Sequence, residues 1–265
     1  MNYEKWDEIL APYQHAVEEL KVKFKNIRKE FLTKGEYSPI EFVTGRTKKI
    51  ASIVSKAKRL NIQDIEAEME DIAGIRIMCQ FVEDIYNIVN LIKLRSDMTI
   101  VYEKDYIKNF KDSGYRSYHV IIKYPINSIA GSKEILCEIQ IRTLAMNFWA
   151  TIEHSLKYKY EHYIPETLAV RLRRAADAAF LLDQEMSEIR EDIMKAQVMY
   201  QVKSVTLRDV LDKIQELYNV GETHKAIKYQ RRLDKIDNER DITEILQLKK
   251  EIDYHLALSK IAYRR

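Results

Sequence analysis

The chain has 265 residues with 44 Lys and Arg against 41 Asp and Glu, so its net charge is only +3. This balance excludes a histone-like polycation, and the 6 glycines and 4 prolines favour long helices over a turn-rich sandwich or barrel. No apolar run approaches the roughly 20 residues that span a bilayer, and the N-terminal segment contains acid where a signal peptide has only base. Both cysteines lie in apolar runs, which is typical of buried thiols in a reducing compartment. We therefore expect a soluble, cytoplasmic protein that does not act at a membrane.

The first predicted element is one helix over residues 1–32, where apolar side chains recur at three- and four-residue steps. A second face of this helix bears only bases: Lys21, Lys25 and Arg28. The helix is expected to end before Pro39, because the residue before a proline disfavours the helical conformation. The basic face is either a solvated surface or a binding site for an anion.

A second helix is predicted over Lys48–Leu60, with one apolar and one polar side. The polar side carries Lys48, Ser52, Lys56 and Arg59. The segment 46–59 contains six bases and no acid, which favours a bound triphosphate. A nucleic-acid backbone would attract the same groups and remains the alternative.

The middle of the chain predicts a mixed sheet at about 70–142, because four runs rich in β-branched and aromatic residues end at turn residues. These strands are Gly74–Phe81, Met98–Glu103, Tyr118–Tyr124 and Ile135–Arg142, with a helix at Val82–Arg95 between the first two. The expected fold class is therefore α+β, a mixed sheet flanked by helices.

Helices return after Thr143, with Leu144, Phe148, Ile152 and Leu156 on one face of the first. Another helix is predicted to begin at Pro165 and to end near Met199. Residues 201–265 form a helical C-terminal extension of unknown role, with turns at Gly221 and Asn238. The predicted organisation is one domain over 1–200, with its core at about 38–160 and a closing helix at 165–199, followed by this extension.

Two acidic positions are candidates for metal chemistry. In a strand, Glu138, Gln140 and Arg142 point to one face, which is either a solvated surface or a site. Asp71 comes directly before a predicted buried strand. If the two strands are neighbours, Asp71 and Glu138 can share Mg²⁺, which prefers carboxylate oxygens completed by substrate phosphates. The alternative is that Asp71 only caps an element or pairs with a nearby base.

The loop at 111–119 is the third candidate, since it joins glycine to an aromatic residue and alternating polar groups. Tyr115 could stack on a base or simply pack against the fold, because tyrosine is common in this chain. His119 is either a ligand-binding group or an ordinary strand histidine.

Four motifs in order resemble the small alarmone synthetases of the RelA/SpoT family, in particular the RelQ type. They are Ser-Pro-Ile-Glu-Phe-Val-Thr-Gly-Arg at 38–46, Asp-Ile-Ala-Gly-Ile-Arg at 71–76, Ser-Gly-Tyr-Arg-Ser-Tyr-His at 113–119, and Glu-Ile-Gln-Ile-Arg-Thr-Leu-Ala-Met-Asn-Phe-Trp-Ala-Thr-Ile-Glu-His at 138–154. The resemblance covers about 1–200. It implies a nucleotidyltransferase-like fold and a GTP pyrophosphokinase that transfers the β,γ-diphosphate of ATP to the 3′-hydroxyl of GTP or GDP. We expect synthesis of pppGpp or ppGpp without a hydrolase domain.

The resemblance also implies roles for individual residues on the ATP side. Arg46 and Arg76 would sandwich the adenine, a use of the planar guanidinium that lysine cannot replace. The groups that would hold the ATP phosphates are Lys48, Ser52, Lys56 and Arg59. Asp71 and Glu138 would bind Mg²⁺, and Glu138 would act as the base on the 3′-hydroxyl.

On the acceptor side, the resemblance implies that Tyr115 stacks on guanine. The residues that would bind the ribose and phosphates of GTP are Lys111, His119, Gln140 and Asn147. A related nucleotidyltransferase with another acceptor, or an RNA-binding regulator, is the alternative function.

Relatives of this type form homotetramers, and the resemblance implies that subunits meet around a cleft that binds pppGpp as an allosteric activator. The residues expected to line this cleft are Lys21, Lys25, Arg28, Glu41, Phe42 and Thr44. Single-stranded RNA is a competing ligand for the same bases.

Overall fold

The computed structural model describes residues 3–129, 131–159, 165–236 and 242–262. The chain divides into two compact units, Met1–Glu188 and Ile189–Arg265. This division falls inside one long helix, whereas the sequence predicts a boundary at residue 200.

Helices and strands alternate through the first unit, and helices alone follow, as the sequence predicts for an α+β chain with a helical extension. In chain order the elements are α1 Tyr3–Thr33, β1 Phe42–Thr47, α2 Ile50–Leu60, α3 Ile65–Glu68, β2 Ala73–Cys79, α4 Val82–Lys93, β3 Thr99–Asp105, β4 Tyr118–Ser128, β5 Gly131–Thr143, α5 Leu144–Lys159, α6 Glu166–Asn219, α7 Thr223–Leu233 and α8 Ile242–Ala262.

The five strands form one sheet in the order β1-β2-β5-β4-β3. Strands β2 and β5 run parallel, and the other neighbouring pairs are antiparallel, so the prediction of a mixed sheet is confirmed. Strand β1 is missing from the sequence prediction. It lies at the edge and alternates exposed with covered residues around Gly45, so it lacks the continuous apolar run by which the inner strands were found.

One apolar core joins the sheet to the helices packed against it, with Leu20 and Phe24 of α1, Ile88 of α4, and Ile75 and Ile139 of the sheet all buried. The edge strand admits α1 closely only because position 45 is glycine. A Cβ atom there would lie 2.9 Å from both Val17 Cγ1 and Ile75 Cδ1, which is closer than real contacts allow. The sheet therefore buries one face and leaves polar side chains on the other.

Three predicted boundaries are wrong. The helix expected to end near Met199 continues to Asn219, because no glycine or proline interrupts it. Strand β4 continues beyond its predicted end at Tyr124, and strand β5 begins before its predicted start at Ile135. Both are longer because they pair as a hairpin as far as Ser128 and Gly131.

The apolar face of α5 that the sequence indicates is exposed in the structure. Its residues are Leu144, Phe148, Ile152 and Leu156, each at least about one-third exposed. Trp149 and Ala150 are buried in its place, against Ala176 of α6.

The second unit has its own apolar core, formed by the C-terminal part of α6 with α7 and α8. Ile214, Tyr229, Leu248 and Ile252 are among its buried residues. Gly221 has φ of 83°, a left-handed conformation suited to glycine, so the turn predicted there is confirmed. The turn predicted at Asn238 lies outside the described residues. Among the helices that the structure describes, none combines the length and hydropathy needed to cross a membrane.

Candidate active site

The polar face of the sheet gathers most of the predicted site residues. Along β5, Ile139 and Ile141 are fully buried, whereas Glu138 and Gln140 are half-buried on the opposite face, as period-two alternation requires. The register places Arg76 of β2 and His119 of β4 on either side of Gln140. The strands that the sequence treats as possible neighbours therefore are neighbours, and their polar side chains share one face.

Glu138 is held from two sides. His119 Nδ1 lies 2.8 Å from Oε1, and Gln140 Nε2 donates to Oε2 at 2.8 Å. Burial raises the pKa of the Glu138 carboxyl, but the hydrogen bonds from His119 and Gln140 outweigh it and leave that pKa below its usual value. Glu138 is therefore an ionised carboxylate at neutral pH, with lone pairs left for a proton or a cation.

Asp71 is bound by two lysines of the predicted phosphate site. Lys48 Nζ donates to one carboxylate oxygen at 2.7 Å and Lys56 Nζ to the other at 2.8 Å. Burial raises the pKa of Asp71, but the two ammonium groups lower it by more, so its pKa lies below the usual value. The alternative in which Asp71 pairs with a nearby base thus occurs here, and the pair lies within the predicted ATP site.

The two carboxylates interact, since the charge of Asp71 raises the pKa of Glu138. The described residues contain no cluster of three or more His, Cys, Asp or Glu side chains that could hold a metal ion. Two carboxylates supply only part of the shell of a Mg²⁺ ion, which usually keeps water and substrate phosphate as further ligands. The donor set therefore fits a magnesium ion that arrives with a nucleotide.

Tyr115 borders a pocket of about 370 Å³, and its hydroxyl bonds to His119, the residue that also bonds to Glu138. The pocket is lined by Arg46, Arg76, Lys111, Ser113, Tyr115, Gln140, Arg142, Ala150, Thr151, Glu153 and His154. Burial lowers the pKa of Arg76, and the positive charges of Arg142 and Arg46 lower it further. The positive charges of three guanidinium groups at one pocket repel one another unless an anion is bound there. Because guanidinium groups are also planar, the pocket is suited to an anionic, planar ligand.

The loop that carries Tyr115 is anchored to α6. The guanidinium of Arg116 is buried between the rings of Phe110 and Phe180, with its Cζ atom 4.5 and 4.4 Å from their centroids. Gly114 has φ of 85°, and a Cβ there would lie 2.6 Å from Ala176 Cβ. This glycine thus permits both the turn and the close approach that fix the position of Tyr115.

The remaining predicted site residues are less closely grouped. Ser52 and Arg59 lie exposed on α2. Asn147 is half-buried on α5 and does not border the pocket that contains Tyr115. The sequence analysis placed Arg142 on the same face as Glu138 and Gln140 but gave it no role in the site, although it lines the pocket. It did not single out Glu153, which also lines the pocket.

The residues expected to bind pppGpp flank the edge strand β1. Lys21 lies next to Gly45 on the covered face and pairs with Glu18 at 2.9 Å. Arg28 Nε donates to the carbonyl oxygen of Ile40 at 3.0 Å, and Lys25 is exposed.

On the other side of the same edge, Phe42 and Thr44 alternate with Gly45 and are exposed. Glu41 accepts a hydrogen bond from Gln80 Nε2 at 2.9 Å. One chain therefore distributes this set over both faces of an edge strand instead of gathering it in a single pocket.

Comparison with known proteins identifies a family. Residues 45–163 match the model described as "Region found in RelA / SpoT proteins". The chain is 54% identical over 204 residues to GTP pyrophosphokinase YjbM of Bacillus subtilis, covering 77% of this chain and 97% of that protein. It is 40% identical over 194 residues to GTP pyrophosphokinase YwaC of the same organism, covering 72% of this chain and 92% of that protein.

Solved structures agree with these sequence matches. The crystal structure of small alarmone synthetase 1 from Bacillus subtilis bound to its product pppGpp matches with a TM-score of 0.70 at 56% identity, covering 72% of this chain and 98% of that one. A structure of a GTP pyrophosphokinase family protein from Streptococcus pneumoniae matches with a TM-score of 0.70 at 52% identity, covering 74% and 97%.

Proposed function

The chain belongs to the RelA/SpoT family of GTP pyrophosphokinases, and from this premise we propose that its polar sheet face transfers the β,γ-diphosphate of ATP to the 3′-hydroxyl of GTP or GDP. The products are AMP and the alarmone pppGpp or ppGpp. The observation that carries the proposal is the half-buried Glu138 carboxylate, which bonds to His119 and to Gln140, a residue that lines the pocket bordered by Tyr115.

Lys48 and Lys56 bind the phosphates of ATP in this proposal, with Ser52 and Arg59 on the same helix as further donors. Both ammonium groups already share an anion, the Asp71 carboxylate, at 2.7 and 2.8 Å. The same pair can turn to phosphate oxygens, which offer equivalent charge and hydrogen-bond acceptors. Arg46 and Arg76 then contact the adenine from the adjacent strands.

Asp71 and Glu138 are the residues that would hold Mg²⁺. The cation would neutralise the anionic oxygens around the β-phosphorus that the 3′-hydroxyl attacks. The support for this assignment is the donor chemistry, two ionised carboxylates close enough for the charge of one to raise the pKa of the other.

The acceptor nucleotide occupies the side of the pocket bordered by Tyr115, whose ring stacks on guanine, and Arg46 and Arg76 border the same pocket on the ATP side. Lys111 and Gln140 line the same pocket and bind the ribose and phosphates, and Asn147 is assigned to this group by resemblance alone. The 3′-hydroxyl is a weak nucleophile, so its alignment and the removal of its proton by Glu138 lower the barrier together.

The reaction is tested by carboxylate-to-amide variants, Asp71→Asn and Glu138→Gln. Each keeps the size of the side chain and removes its charge, so we expect alarmone synthesis to fall by about 10²-fold or more. The measurement is separation of labelled products after incubation with ATP, Mg²⁺ and each guanine nucleotide. Glu134→Gln, at an exposed position of the same strand, is the matched control. Near wild-type synthesis in either amide variant, with an unchanged circular dichroism spectrum, would contradict the assignment.

Assembly and regulation extend the proposal. Leu144, Phe148, Leu182 and Met186 line an apolar groove of about 760 Å³ on the first unit, a surface suited to a second copy in a homotetramer. Analytical ultracentrifugation tests this assembly, and a monomer at micromolar concentration would contradict it.

In such an assembly, the bases of α1 and the exposed residues of β1 bind pppGpp as activator, and single-stranded RNA competes for those bases.

The proposed location is the cytoplasm. Cys79 and Cys137 are both free and buried, as is usual for proteins of a reducing compartment. Fractionation of cells that produce the protein, with immunodetection in each fraction, tests this location. Recovery in the membrane or secreted fraction would contradict it.

A further inference from the structure

A continuous chain of hydrogen bonds links the aromatic ring of the guanine pocket to the carboxylate of Glu138. Arg142 Nη2 donates to the Tyr115 hydroxyl at 2.6 Å, and that hydroxyl lies 2.8 Å from His119 Nε2. The other ring nitrogen of His119, Nδ1, lies 2.8 Å from Glu138 Oε1. His119 is therefore the bridge between a stacking residue and the proposed base.

The protons of this chain have one consistent arrangement when the imidazole is neutral and Glu138 is ionised. An ionised carboxylate can only accept, so His119 Nδ1 carries the ring proton and donates it to Glu138. His119 Nε2 is then unprotonated and accepts from the Tyr115 hydroxyl, whose oxygen in turn accepts from Arg142. The opposite tautomer would turn an unprotonated nitrogen towards the carboxylate, which is repulsive.

The surroundings prevent His119 from turning away. Its side chain is buried, and the ring of Tyr106 packs edge-on against it with centroids 5.2 Å apart. On β4 it lies opposite Gln140 of β5, and Gln140 Nε2 donates at 2.8 Å to the second oxygen of Glu138. Two donors on neighbouring strands thus fix the plane of the Glu138 carboxylate.

Both ring nitrogens of His119 are used within the protein. No nitrogen is left to donate to the ribose or phosphates of the acceptor while these bonds persist. The same holds for the hydroxyl of Tyr115, which bonds to Arg142 and His119. The part of Tyr115 left to contact guanine is its ring, over which Lys111 Nζ and Arg142 Cζ lie 5.0 and 5.1 Å from the centroid.

We propose that His119 and the Tyr115 hydroxyl are positioning residues, which orient the Glu138 carboxylate towards the 3′-hydroxyl and link that orientation to the guanine pocket. The proposal rests on the proposed function, because Glu138 acts there as the base. Stacking of guanine on Tyr115 then orders the ring, the ring orders His119, and His119 orders the base. A misplacement of about 1 Å in such a group costs about 10²-fold in rate.

Two substitutions of His119 separate its two bonds. In His119→Asn, the amide nitrogen takes the place of Nδ1 and still donates to Glu138, whereas in His119→Gln the amide reaches the place of Nε2 and leaves Glu138 without that donor. We expect kcat to fall by less than about 10-fold in the Asn variant and by about 10²-fold in the Gln variant. The KM for GTP should change by no more than about threefold in both, because the ring of Tyr115 remains.

Tyr115→Phe is the second test, since it keeps the stacking ring and removes only the hydroxyl. We expect kcat to fall by about 10-fold with little change in the KM for GTP, because a base loosened in its orientation loses rate and not substrate affinity. Binding of GTP measured by calorimetry should also be unchanged. A role in stacking alone would leave the kcat of this variant equal to that of the wild type.

The outcomes distinguish the inference from the function on which it rests. If the wild-type protein makes no alarmone in the same assay, the proposed function fails. If wild type is active and His119→Gln raises the KM for GTP with unchanged kcat, His119 is a substrate ligand and the inference is wrong. Equal kcat values in the Asn and Gln variants, or a fully active Tyr115→Phe, would overturn it as well.

Discussion

Buried acids in the first unit behave in opposite ways according to their partners. Asp71 and Glu138 have lowered pKa values because ammonium, imidazole or amide donors outweigh burial. Asp183 has only one hydroxyl donor, and burial, reinforced by Glu83, raises its pKa to about 6. The two acids of the proposed site are thus ionised well below neutral pH, whereas a third acid away from it becomes ionised only near pH 6.

Asp183 allows a prediction on stability. It is 4% exposed, and Thr143 Oγ1 donates to it at 2.6 Å while accepting from the backbone nitrogen of Met146 at 3.0 Å. Because its folded pKa is above the unfolded value, the carboxyl costs stability once ionised. That cost develops as the pH rises from about 4 to about 6 and is complete above it.

Asp183→Asn should therefore raise the free energy of unfolding by about 1–3 kcal/mol at pH 7.5 and by little at pH 4, because the amide still accepts from Thr143 and is never charged. Urea unfolding of variant and wild type at both pH values measures the difference. Glu185→Gln, at an exposed position of the same helix, is the control. A gain of equal size at both pH values would show that ionisation is not the cause.

Among the elements, the edge strand β1 connects the site to the proposed regulation. Arg46 lies on the same face as Phe42 and Thr44 and borders the nucleotide pocket. The opposite face of β1 contacts α1 at Gly45, beside Lys21. An activator bound around this strand would therefore act on Arg46, the proposed adenine contact, with a coupling free energy of about 1–3 kcal/mol.

Lys25→Ala and Phe42→Ala should abolish stimulation by pppGpp and leave the unstimulated rate within about twofold, since neither residue borders the substrate pocket. Initial rates are measured at increasing pppGpp, with and without a short single-stranded RNA. Asn26→Ala, at an exposed neutral position beside Lys25, is the control. Stimulation equal to that of the wild type in both variants would make the basic face of α1 an ordinary solvated surface.

The sequence predicts those elements whose apolar pattern lies within one segment of the chain. It does not predict contacts that depend on which strands pair and in which register. The inner strands were predicted because their apolar runs are continuous, whereas β1 was missed because an edge strand with a central glycine has no such run. The alternation of Glu138 with Ile139 was readable, but the bond between His119 and Glu138 depends on the register of β4 and β5. No spacing in one segment determines that register.

In the whole molecule, every predicted site residue belongs to the first unit, whereas the second unit has a separate apolar core. The two Bacillus subtilis relatives match 77% and 72% of this chain, so a substantial part of it lies beyond what those relatives share. Because this helical unit has its own core and contains no proposed site residue, we expect that a mutation can destabilise it without changing the rate of alarmone synthesis.

Leu248→Ala tests this separation. Leu248 is fully buried in the core of the second unit, so its truncation should cost about 2–5 kcal/mol and lower the unfolding temperature of that unit. The rate of alarmone synthesis should stay within about twofold of the wild type below the transition. Leu246→Ala removes the same atoms from a side chain that is 40% exposed on the same helix and should change neither quantity. Circular dichroism and initial rates are recorded over the same temperatures, and a loss of activity in step with the loss of helix would mean that the two units unfold cooperatively.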